Sequence, residues 1–237
     1  RVRLRDAAVV LCLICAQVSF VASADEPFEL RSIDTQGRTA GVEMVDVNGD
    51  SRSDIVQMVF EGFPPNERRM FRVFLQDREG RIERTPDFTV LVPDGSAGYD
   101  TADVLPEPGV EFVLLRPAGV TLLSLARADA PRRDLKVPGD QTIAASEDER
   151  GLDRLHIAYD EFGEQTWLIV PQLSQVAALD TQGTLMARFK VGARANYFVR
   201  AQPGPLVVDS DIQLMLDAPR ISVGDVDGDG QADVVSS

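Results

Sequence analysis

Three observations in the 237-residue sequence predict an all-β chain. Valine, threonine, phenylalanine and leucine recur in short alternating runs, Gly, Pro and Asp bound those runs, and hardly any stretch sustains an apolar period near 3.6 residues. Hydrophobic residues make up 44% of the chain, which argues against disorder and supplies a core. Around the first acidic stretch the predicted order is a strand from Gly41 to Val45, a loop at 46–54 and a strand from Ile55 to Phe60. A polar link containing Pro64, Pro65 and Asn66 follows, then a strand from Phe71 to Gln76, a turn at 77–80 and a last strand near Thr89 to Val92. Such a run of short strands joined by turns folds as a four-stranded antiparallel unit.

The unit returns along the chain. DVNGDSRSDIVQMV from Asp46 lies over DVLPEPGVEFVLL from Asp103, placing Asp50 on Glu107 and Asp54 on Glu111. A weaker copy, AYDEFGEQTWLIV, begins at Ala158, and DVDGDGQAD begins a fourth at Asp225; the turn DREG at 77–80 reappears as DTQG at 180–183. Repeats starting near 41, 98, 153 and 220 predict β-propeller blades, because one such sheet cannot bury both faces alone and must stack on its neighbours. The competing reading is a β-sandwich with chance internal similarity. Three blades and the start of a fourth fall short of the roughly four to eight that close a ring. The expectation is therefore an incomplete, C-terminally truncated arc over 25–237, either a piece of a longer protein or an open array.

The acidic loops carry the clearest chemistry. In DVDGDGQAD, Asp225, Asp227, Asp229 and Asp233 present side-chain oxygens at positions 1, 3, 5 and 9, Gln231 offers a backbone carbonyl, and Gly230 permits the positive φ of a tight wrap. The matching set in the first loop is Asp46, Asn48, Asp50, Arg52 through its carbonyl, and Asp54. Crowded hard oxygens fit Ca2+ better than Mg2+, and no His or Cys stands nearby to favour zinc or copper. An EF-hand would place a bidentate Glu at position 12 and a helix after it; here position 12 is Gln57 or Ser236 and strand residues follow. Ser51 stands where the second loop has Gly230, and Asn48 lowers the charge, so weaker binding is expected at 46–54. In the middle copies Leu105 and Pro108, then Ala158 and Phe162, spoil the ligand pattern. Plain solvated turns are the alternative for all these loops.

The D-x-D/N-x-D-G-x-x-D-hydrophobic pattern resembles the FG-GAP or VCBS repeat of integrin-α-type β-propellers. The likeness is close over the two good loops and loose elsewhere. It implies Ca2+ bridging the first two strands of a blade, and a role in adhesion or recognition.

Residues 1–24 read as a secretory signal peptide: Arg1, Arg3 and Arg5, an apolar run from Ala7 to about Val21, and Ala22-Ser23-Ala24 before Asp25. Both cysteines, Cys12 and Cys15, fall inside it, so a secreted or periplasmic chain without thiols is expected, with no membrane insertion after cleavage. The formal net charge of −14 makes nucleic acid an unsuitable partner. No catalytic constellation is legible. His156 reads as a satisfied or half-buried strand residue, Ser96 as a turn residue, Asp160, Glu161 and Glu164 as solvated acids, and Trp167 as packing between blades. The sequence thus predicts a non-enzymatic, calcium-stabilised binding module for an extracellular protein or glycan. The alternative is an accessory scaffold of an extracellular carbohydrate-active lyase or hydrolase.

Overall fold

The structure is a computed structural model that describes residues 32–33, 35–63, 66–139, 142, 152–160, 165–172, 174–190, 194–200, 211–217 and 221–236. The expected signal segment at 1–24, with its two cysteines, lies outside these residues, as do Pro64, Pro65, Glu161, Phe162 and Glu164. Among the described residues there is no helix, and the strands form several sheets, none of which closes on itself.

The first sheet has strands β1 (Arg38–Val45), β2 (Asp54–Glu61), β3 (Arg68–Phe74) and β4 (Phe88–Leu91), all antiparallel and in chain order. Every strand expected from the alternation is present, although β1 and β3 each begin three residues early. In β1 the extension crosses a register irregularity between Thr39 and Gly41.

The second sheet differs from the four-stranded expectation. It holds β5 (Gly98–Ala102), β6 (Glu111–Arg116), β7 (Gly119–Ser124) and β8 (Arg132–Lys136), antiparallel, and then β9 (Asp153–Arg154), which lies parallel beside β5. The cause is local. Buried Asp100 accepts hydrogen bonds from Ile157 N at 2.7 Å and Ala158 N at 2.9 Å, which draws the returning chain against β5.

A third sheet contains β10 (Ala158–Tyr159), β11 (Trp167–Pro171), β12 (Gln175–Leu179) and β13 (Leu185–Lys190). Two hairpins follow, β14 (Arg194–Arg200) with β15 (Asp211–Asp217), and β16 (Ile221–Gly224) with β17 (Asp233–Ser236). The hairpin at 194–217 has no counterpart among the predicted elements.

The core lies between sheets. Alternation along β2 and β3 sends Val56, Met58, Phe71 and Val73 to one face, where they meet Tyr99, Phe112, Leu114 and Leu123 of the second sheet. Phe71 and Phe112 stand 4.8 Å apart between ring centroids, a pairing that adds about 1 kcal/mol beyond area burial. The opposite face of the second sheet, with Val113, Leu115 and Leu122, meets Leu168, Val170, Ala177 and Leu179 of the third. Tyr159, Ile169 and Val176, on the third sheet's other side, pack with Trp167 against Ile221 and Val223 of the β16–β17 hairpin. Strands buried on both faces read as continuous apolar runs such as FVLL and VTLL, which is why β6 and β7 lack alternation.

Candidate metal centre

The two acidic loops connect β1 to β2 and β16 to β17, and they are wired alike. In the first, Asp46 accepts Gly49 N at 2.7 Å and Asp50 N at 3.1 Å on Oδ1, and Ser51 N at 2.6 Å on Oδ2. In the second, Asp225 accepts Gly228 N at 2.7 Å, Asp229 N at 3.1 Å and Gly230 N at 2.9 Å on the same oxygens. Asn48 and Asp227 each accept the amide two residues on, as do Asp50 and Asp229. The ninth residue then closes the loop, Asp54 on Val47 N at 3.1 Å and Asp233 on Val226 N at 3.0 Å. Ser51 has φ +66°, matching Gly230 at +83°, so the non-glycine residue does occupy the left-handed region.

Burial separates the two. Asp225, Asp227 and Asp229 are exposed, and one carboxylate oxygen of each lies within 4.8 Å of the others. At that separation like charges repel by about 1 kcal/mol per pair even in water. Three carboxylate oxygens gathered this closely can hold a metal ion. The first loop is less open. Asp54 is fully buried and also accepts Gln76 N at 2.9 Å, and the Arg52 guanidinium pairs with Asp50 while Nε donates to Gln76 O at 3.0 Å. Burial pushes the Asp54 carboxyl up, the Gln76 and Val47 amides oppose that, and the nearby Asp50 and Asp46 charges add to it.

The loop from Asp103 to Glu111 keeps only the closing bonds. Glu111, fully buried, accepts Val104 N at 2.9 Å and Leu105 N at 3.0 Å on Oε2, while Oε1 has no partner among the described residues. Desolvation raises its pKa, the two amides counter it, and Asp103 and Glu107 push it further up. Pro106 and Pro108 align with Gly49 and Ser51 and have no N–H to donate, so the wrap around the first aspartate is lost. The two loops also touch: Val110 N donates to Asp46 O at 2.9 Å, and a Cβ on Gly109 would sit 2.2 Å from Val47 O. The recurring turns agree in detail, Asp77 accepting Glu79 N and Arg81 N as Asp180 accepts Gln182 N and Thr184 N.

His156 differs from expectation: it is exposed, lies between β9 and β10, and stacks on Tyr159 at 4.1 Å. Asp100 pulls the flanking backbone inward and leaves the imidazole outside. Ser96 is a buried turn residue whose hydroxyl donates to Pro93 O. Sequence reasoning missed the link from Tyr99 OH to Glu43 at 2.5 Å and from Arg154 to Glu43 at 2.8 Å, which spans 111 residues and leaves no local signal. Burial and Glu43 together push the Tyr99 phenol up. The chain matches no protein-family model, no curated protein and no solved structure.

Proposed function

We propose that the chain is an array of FG-GAP or VCBS-type β-propeller blades, held together in part by calcium, that acts outside the cell as a binding module for another macromolecule or a glycan. The observation that carries this reading is the matching backbone-amide hydrogen bonding in loops 46–54 and 225–233, each joining two antiparallel strands. Face-to-face packing of successive sheets supports the blade arrangement.

Asp225, Asp227, Asp229 and Asp233, with the Gln231 carbonyl, would hold the ion at the better site. The ion supplies the positive charge that offsets mutual repulsion, and the loop amides orient the carboxylates around it. Asp46, Asn48, Asp50, the Arg52 carbonyl and Asp54 form the weaker site, since Arg52 already pairs with Asp50.

Thermal melting of the full chain tests the reading. A ligand at a hundredfold its Kd adds about 2.7 kcal/mol, so saturating calcium should raise Tm by about 5 to 10 °C over EDTA. Asp229→Ala should remove most of that response. A Tm indifferent to both reagents would overturn the proposal.

A further inference from the structure

We propose that the cleft between the second and third sheets binds a neutral saccharide, with Asp103 as its principal contacting carboxylate. The cavity has a volume of about 400 Å³, within the roughly 300–1,000 Å³ of small-molecule sites. Asp103 comes from the loop before β6, Gln165 and Thr166 from the approach to β11, and Asp180, Thr181 and Gln182 from the turn between β12 and β13. Carboxylates, amides and hydroxyls are the groups that satisfy sugar hydroxyls, which both donate and accept. No Lys, Arg or His lines the cavity among the described residues, so an anionic ligand would meet only repulsion.

The state of Asp103 is the second observation. In the two aligned loops the first aspartate spends its oxygens on three backbone amides. Here Pro106 and Pro108 delete two of those donors, and among the described residues no hydrogen bond reaches the Asp103 carboxylate. The proline substitutions that ended one use of this carboxylate release it toward the cleft. Asp180 has less freedom, since its Oδ1 accepts Gln182 N at 2.9 Å and Thr184 N at 2.7 Å, so it shapes the rim. A divalent metal fits poorly: among the described residues the one gathering of three metal-binding side chains is Asp225, Asp227 and Asp229.

The inference rests on the binding-module reading and names its ligand class. The test exposes the full chain, in calcium buffer, to an array of neutral oligosaccharides, and follows the strongest binder by titration calorimetry. Asp103→Ala and Thr181→Val are each expected to weaken binding at least tenfold with Tm unchanged. Binding by Asp103→Ala equal to the parent chain, no neutral oligosaccharide retained, or preferential binding of the polyamine spermidine would each overturn it. Saccharide binding through Asp103 by a chain whose Tm ignores calcium would remove the metal reading alone, and a calcium response without saccharide binding would remove this one alone.

Discussion

Loops 46–54 and 225–233 form the same bonds from backbone N–H to side-chain oxygen, yet their surroundings differ. The first is wedged by the second sheet, where a Cβ on Gly49 would sit 2.4 Å from Pro108, and Arg52 neutralises Asp50 from within. The second stands in solvent, with nothing within 4 Å of a Cβ on Gly228 or Gly230. A carboxylate-rich turn can therefore be stabilised in two ways. Packing and an internal arginine serve the first loop; for the second, the proposed cation would supply the counter-charge.

The largest expected effect comes from breaking the wedge. Gly109 has φ +103° and no room for a side chain, so Gly109→Ala should destabilise by about 3 kcal/mol in chemical denaturation. Gly228→Ala meets only conformational strain and should cost about 1 kcal/mol. Equal losses would show that the first loop gains nothing from the neighbouring sheet.

The closing acids give the next contrast. Asp54→Ala leaves Val47 N and Gln76 N without their acceptor inside the protein and should cost about 2 kcal/mol. Asp233→Ala, measured in EDTA, affects one exposed amide and should cost about 1 kcal/mol or less.

A smaller effect concerns pH. Glu111 titrates above the ordinary glutamate value of 4.5 because burial disfavours its charge, so the folded state holds that proton after the unfolded chain has released it. Its contribution is fully present below 4.5 and is lost as pH rises through the folded value. Glu111→Gln should remove that decline from a plot of stability against pH. An unchanged slope would mean that Glu111 is ionised without penalty. The aspartates of the two turns act oppositely. Asp77 is held below 3.8 first by the Arg81 amide. Burial pushes Asp180 upward, but bonds from Thr184, Gln182 and Gly183 outweigh it. Both contribute stability above 3.8 that is lost as pH falls through their folded values, so Asp77→Asn with Asp180→Asn should flatten the acid limb.

Much of this was legible locally. Alternation located β1 to β4, and the nine-residue spacing follows local bonding: the first, third and fifth residues of each loop bond amides within five positions, and the ninth reaches back seven. The strands after Asp54 and Asp233 exclude an EF-hand as expected. What escaped depends on distant partners. The fifth strand β9 follows from Asp100 reaching residues 57 and 58 positions away, and the same reach exposes His156. Glu111 aligned with Asp54, but its unpartnered oxygen could not be foreseen, since Gln76 supplies the bond in one loop and nothing described does so in the other.

Calcium titrated calorimetrically into the parent chain, Asp50→Ala and Asp229→Ala separates the two modes most directly. Saturable heat is expected in the parent chain, retained in Asp50→Ala at the tighter site and abolished there in Asp229→Ala. Heat from Asp229→Ala indistinguishable from the parent chain, or no heat from any of the three, would contradict that expectation.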